Sequence, residues 1–169
     1  MTQQALHQCF QREIRSLRRE LDAYPDDASV WATPAGVKNP AGTLFLHLAG
    51  NLQHFIGAKL GETGYIRDRE AEFARRGVSR KEIARELDAA SAAVNVGFAK
   101  LSDHMLASPF PEQIAGITFT TVDWLIHLAA HLGYHVGQID YHRRIVTGDP
   151  TTVDTVSVKE LGAALSQPA

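Results

Sequence analysis

Cysteine is almost absent: the chain has 169 residues and one cysteine, Cys9. A lone thiol can close neither an intramolecular disulfide nor a CxxC pair, which suits a reducing compartment. Nothing near Cys9 in sequence would lower its pKa, so it reads as a buried or partly buried bystander rather than a nucleophile. Long apolar runs are missing as well. No stretch approaches the roughly 20 residues that cross a bilayer, and MTQQALHQCFQREI has no apolar signal core, so a cytoplasmic location without a membrane partner is expected. Charge of one sign is also lacking. With 17 Lys and Arg against 19 Asp and Glu, the formal net charge of −2 gives no electrostatic case for nucleic acid. The cluster Arg12, Arg15, Arg18 and Arg19 is interleaved with Glu13 and Glu20, the pattern of a solvated helix face. There is no convincing Ser-His-Asp set and no Gly-rich phosphate loop.

What is present is helical periodicity. Apolar and charged fractions of 44% and 21% are ordinary for a globular domain, and the length suits a single core. Leu6, Phe10, Ile14, Leu17, Leu21 and Tyr24 recur at spacings of three and four, which predicts a first helix over about 4–24 that Pro25 ends. A long loop pinned by Trp31 follows. Asn39 as cap and Pro40 at the first helical position predict a second helix over about 40–60. Residues 61–79, with the charge run Arg67, Asp68, Arg69 and Glu70, read either as a solvated loop or as an arginine-bearing rim over a site. Ser79 and Glu82 form a capping box, and the spacing beyond them predicts a third helix to about residue 106. Pro109, Pro111 and Gly116 make a connector. Thr120 or Thr121 then starts a fourth helix that Gly148 and Pro150 stop. The expected organisation is one domain over 1–150 and a C-terminal extension over 151–169, either a short helix opened by Ser157 and Glu160 or a loose tail.

The fourth segment carries the chemistry. At about 100° per residue, His127, His131, His135, Gln138 and His142 fall within an arc of roughly 80°. Leu125, Leu128, Leu132, Val136 and Ile139 form an apolar stripe beside them, so the histidines border the core. His131 and His135, four residues apart, can chelate one divalent ion from a single helix. The second segment repeats the arrangement with His47, Asn51 and His54, and spacing alone allows His47 or His54 as a third ligand. Three neutral imidazoles leave coordination positions open, the arrangement of a catalytic rather than a structural site. Asn51 and Gln138 could accept the second ring N–H of a ligand, with His54, His127 and His142 nearby or in a pocket wall. Small residues at Gly50 and Gly57, and at Ala129, Gly133 and Gly137, leave smooth helix faces that would suit a homodimer.

HLGYHVGQI, residues 131–139, resembles the H-x-x-x-H-R-G-Q motif on the last helix of the DinB/YfiT-like superfamily, and NPAGTLFLHLAGNLQHFIGA resembles its second helix. The resemblance spans about residues 5–148. It implies an all-α, up-down four-helix bundle with long loops after helices 1 and 2, often dimeric, with a divalent metal on three histidines at one end. By motif position the ligands would be His131, His135 and His47. Val136 stands where the motif usually has Arg. Members with an assigned activity are thiol-S-transferases, which implies a metal, zinc or nickel by preference, and a low-molecular-weight thiol as co-substrate. The readings are therefore a metal-dependent enzyme acting on small molecules, by thiol transfer or by hydrolysis, or a non-catalytic metal-binding dimer of a stress response. The blandest is a bundle whose histidines only hydrogen-bond one another.

Overall fold

Four long helical segments enclose one core in the computed structural model, which describes residues 2–161. They are α1 (Thr2–Asp22), a continuous second segment made of α3 (Ala41–Leu52), a π-helical stretch (Gln53–Ala58) and α4 (Lys59–Gly61), then α6 (Arg80–Lys100) and α8 (Thr121–Thr147). Three short helices sit in the connections: α2 (Asp27–Val30), α5 (Arg69–Ala74) and α7 (Asp103–Ala107). No named strand occurs among the described residues; the connector before α8 has only isolated bridges, Pro109 with Thr120 and Ile114 with Ile117. The fold is all-α. α1 packs on α6 and α8, and α3 packs on the same two helices, so each apolar stripe faces the centre. Phe10, Leu17, Phe45, Leu48, Ile83, Leu87, Leu125, Leu132 and Val136 are buried there at 1% exposure or less.

Local chemistry sets most boundaries. Ser79 and Glu82 complete a reciprocal capping box on α6. The Thr120 side chain accepts from Asp123 N to open α8, and Gly148 closes it in the left-handed region at φ 70°. Three expectations need correction. The third helix does not run to residue 106: Leu101 turns extended and Ser102 caps the separate α7, its hydroxyl accepting from Met105 N. Residues 61–79 are not a plain loop, because Asp68 accepts from Ala71 N and starts α5. Asn39 does not cap α3, since Pro40 itself takes the capping position in an extended conformation.

The second segment and α6 approach closely at the π-helical stretch. A Cβ on Gly57 would lie 2.7 Å from Ala93 Cβ, and one on Gly97 would lie 2.5 Å from Ile56 O. The smooth face carrying Gly57 is thus consumed inside the chain. At the opposite end of α8, Arg143 is 1% exposed and donates to Glu20 at 2.6 Å, to Asp140 at 3.2 Å and to Thr151 O at 2.7 Å. This buried pair ties the start of the C-terminal extension to α1. Farther along, the extension makes a 3-10 turn, Val158–Glu160, whose Glu160 pairs with Arg15 and Arg19. Residues 162–169, and with them the choice between a short helix and a loose tail for the end of the extension, lie outside the described residues.

Candidate metal centre

His47 on α3 and His131 and His135 on α8 meet because these helices pack side by side and each presents its histidine stripe toward the other. Their Nε2 atoms converge: His131 Nε2 is 3.3 Å from His47 Nε2 and 3.1 Å from His135 Nε2. The ring planes are close to mutually perpendicular, at 82°, 88° and 86° for the three pairs. Among the described residues this is the one group of three or more His, Cys, Asp or Glu side chains whose ligand atoms all lie within 4.8 Å of one another.

The outer ring nitrogens decide what the inner ones can do. His47 Nδ1–H donates to Glu72 Oε2 at 3.0 Å, and a carboxylate can only accept, so the Nε2 of His47 is left as a lone pair. His135 Nδ1–H donates to Gln138 Oε1 at 2.6 Å. In this orientation the Gln138 amide also donates its N–H to Tyr134 at 3.0 Å, and the Nε2 of His135 is then a lone pair too. Both lone pairs face His131 Nε2. A single N–H there would satisfy one of them, whereas a cation at the centre would satisfy all three, and the donor set fits an ion for that reason. His131 is the less perfect ligand, because its Nδ1 is buried without a partner among the described residues.

Glu72 is anchored from the other side. Arg67 donates to it through Nε at 2.7 Å and Nη2 at 2.8 Å, and the two side chains are 11% and 6% exposed. Arg67 Nη2 also lies 3.3 Å from His47 Nδ1, and its guanidinium stacks 5.6 Å from the Phe55 ring centroid. Burial raises the Glu72 carboxyl, but the hydrogen bonds from Arg67 and His47 and the charge of Arg67 outweigh it and hold the group below the usual carboxylate range. Burial, helped by the neighbouring His135, His47, His127 and Arg67, lowers His131 from 6.5 to about 4. Burial also lowers His135, against the raising effect of its bond to Gln138. These two imidazoles are therefore neutral at pH 7, the form that binds a metal.

The other residues singled out from the sequence are distributed around this cluster. His127 is exposed, one turn from His131, with its ring stacked on Trp124 at 4.7 Å. His54 points elsewhere, pairing with Glu112 at 3.0 Å, and burial lowers its pKa. His142 is buried away from the triad, between Tyr24 Oη at 2.7 Å and Ala32 O at 2.8 Å. It also lines a cavity of about 340 Å³ with Lys38, Asn39, Leu44, Gln138 and Tyr141. Asn51 is buried, but Glu72 takes the acceptor role beside His47. Arg69 stacks on Phe73 at 4.9 Å, and Phe73 in turn packs 4.9 Å from His47, so both arginines border the site, Arg67 by turning inward. Glu72 escaped the sequence reading. Its one trace there is Gly50, where a Cβ would lie 2.1 Å from Glu72 Oε1.

A family model described as the DinB superfamily matches residues 10–139. The chain belongs to the DinB superfamily. No curated protein matches it. Among solved structures it is similar to a crystal structure of a DinB-like protein from Bacillus cereus ATCC 10987, with a TM-score of 0.68 and 18% identity over 84% of this chain and 91% of that one. At that identity the likeness concerns the fold. No helix among the described residues of this DinB-superfamily chain is long and apolar enough to cross a membrane.

Proposed function

We propose that His47, His131 and His135 hold a divalent ion, zinc or nickel by preference, and that this DinB-superfamily protein is a metal-dependent enzyme acting on small molecules with a low-molecular-weight thiol as co-substrate. The carrying observation is the convergence of three Nε2 atoms, that of His47 left as a lone pair by the acceptor Glu72 and that of His135 by Gln138 in its present amide orientation. An ion bound there supplies a Lewis-acid centre that lowers the pKa of a thiol or of water. The surrounding residues do the rest. Glu72 retains the Nδ1 proton of His47, Gln138 retains that of His135, and Arg67 balances the charge of Glu72. Three neutral imidazoles add no charge, and the Arg67–Glu72 pair cancels, so a dication leaves an excess that favours an anionic ligand such as a thiolate.

The reading extends to a cytoplasmic homodimer. Ile126, Tyr134, Tyr141 and Ile145 are 55%, 65%, 67% and 59% exposed along one outer stripe of α8, with Gly133 and Gly137 among them and nothing within 4 Å of a Cβ at either glycine. A second copy covering this stripe would bury it. Gly50 and Gly57 take no part, since they pack against Glu72 and Ala93.

Elemental analysis of protein purified without a His tag tests the metal, with about one equivalent per chain expected. A Co²⁺-substituted sample whose absorption changes on thiol addition supports the enzyme. An unchanged spectrum with stoichiometric metal favours a hydrolase or a non-catalytic metal-binding dimer. Light scattering at micromolar concentration tests the dimer, and a monomeric mass counts against it.

A further inference from the structure

The two triad histidines that have an outer hydrogen bond differ in what receives it. His47 donates its Nδ1–H to a carboxylate, Glu72, at 3.0 Å, and Arg67 matches that charge by donating to Glu72 at 2.7 and 2.8 Å. His135 donates its Nδ1–H to an amide, the Oε1 of Gln138, at 2.6 Å. A carboxylate only accepts, whereas an amide has an acceptor at one end and donors at the other. Tyr134 stands behind Gln138, its oxygen 3.0 Å from the amide nitrogen, and a phenol both accepts and donates, so it satisfies the amide in either orientation. Turned over, the amide would donate to His135 and place the ring proton on Nε2, the form that cannot take an ion. Gln138 is exposed and Tyr134 is 65% exposed, so packing does not forbid the turn. A glutamate at 138 would end the ambiguity with almost no change of shape, but it would bring a charge. Among the described residues Glu72 is the one carboxylate bonded to a triad imidazole, and the cleft beside Gln138 is lined by no Asp or Glu and by one cation, Lys38.

We propose that Gln138 sets the ligand preference of the metal centre: as an amide it orients His135 less firmly than a carboxylate and adds no charge, so the bound ion keeps its affinity for an anionic ligand such as a thiolate at the expense of tighter metal binding. This rests on the metal reading above and deepens its choice of an anionic sulfur ligand. Gln138 is a positioning residue that acts through His135. A full negative charge one imidazole away from the ion changes its affinity for an anion by roughly three- to fiftyfold, depending on screening. The same charge strengthens the hold of the site on the ion itself.

The test compares the full chain with its Gln138→Glu and Gln138→Ala variants, both at an exposed position that should fold normally. In competitive zinc titration Gln138→Glu should bind at least about threefold tighter than wild type, and Gln138→Ala about 10- to 100-fold weaker. In Co²⁺-loaded protein, followed by visible absorption, Gln138→Glu should bind thiocyanate, an anion at any working pH, at least about threefold more weakly. Imidazole, which brings no charge, should stay within about twofold of wild type. In metal-free protein, long-range ¹H–¹⁵N spectra should place the His135 proton on Nδ1 alone in Gln138→Glu and show exchange between Nδ1 and Nε2 in wild type. A merely structural role would weaken both probes together and would not tighten zinc. Equal zinc affinity in wild type and Gln138→Glu, equal weakening of thiocyanate and imidazole, or a single tautomer in wild type overturns the proposal and leaves the metal in place. A wild-type protein that takes up no zinc sinks the metal reading, and the proposal with it.

Discussion

Replacing Gly50 by Ala isolates the Glu72 strut. In an exposed helix interior the exchange would stabilise by about 1 kcal/mol through helix propensity alone. Here the new Cβ would stand 2.1 Å from Glu72 Oε1 and 2.8 Å from its Cδ. The carboxylate can swing away, but a retreat of about 1 Å lengthens bonds that are now 2.7, 2.8 and 3.0 Å beyond useful range. Hydrogen bonds to charged groups are worth about 1.5–3 kcal/mol each, and both partners are nearly buried. Losing even two outweighs the propensity gain, so a net loss of about 2 kcal/mol follows, or a melting point lower by roughly 4–8 °C at this chain length. Without its carboxylate His47 is no longer oriented, and metal affinity should fall about 10- to 100-fold. Gly133→Ala is the control, with nothing within 4 Å of its Cβ in the single chain. It should keep the metal, because its Cβ points away from Glu72 and the triad, and metal content rather than melting point is the control, since Gly133 lies on the proposed dimer stripe. Competitive zinc titration and thermal melts of both variants decide the matter. A Gly50→Ala protein that melts higher and binds zinc like wild type would refute the strut.

His47→Ala, His131→Ala and His135→Ala should each abolish stoichiometric metal at neutral pH with the helical signal largely kept, whereas His54→Ala and His142→Ala should retain it; metal analysis of the five proteins is the check. If His47→Ala stays loaded and His54→Ala does not, the third ligand is misassigned. Burial depresses His131 to about 4 and also lowers His135, while an unfolded histidine titrates near 6.5. As pH falls below roughly 6.5 the unfolded chain takes up protons that the folded chain refuses, so metal-free protein should lose stability from there down toward about pH 4, seen in urea midpoints. By the same shift, protons should compete for His131 and His135 at lower pH than for an ordinary histidine, so half-release of the metal should fall below pH 6.5, and half-release at pH 6.5 would contradict it. Arg143→Met leaves Glu20 buried without its ion-pair partner and should cost about 3–5 kcal/mol, read from the urea midpoint, without changing metal content.

Much of the fold was legible because its signals are local. The four long segments follow from three-and-four spacing, and the Ser79–Glu82 box and Gly148 stop act within a few residues of themselves. The errors are local conflicts that a pattern cannot rank. The apolar spacing of Leu101 and Met105 continues the third helix on paper, but Ser102 offers a competing cap and α7 starts afresh. Asp68, inside a charge run, looks like one more solvated charge until its side chain closes on Ala71 N.

The histidine stripes follow from the helical period alone, because four-residue spacing puts His131 and His135 on one face whatever surrounds them. Which histidines meet does not. His47 and His54 share a stripe on the second segment, as His135 and His142 do on α8, and only the packing of α3 on α8 brings His47 to the triad while His54 goes to Glu112 and His142 to Tyr24 and Ala32. The same holds for Glu72, 25 residues from His47 in sequence, and for the direction in which Arg67 turns. Spacing along one helix is fixed by covalent geometry and backbone hydrogen bonds, so the sequence alone determines it. Contacts between helices depend on which side chains leave room for others, as Gly50 does for a carboxylate, and that the tertiary structure decides.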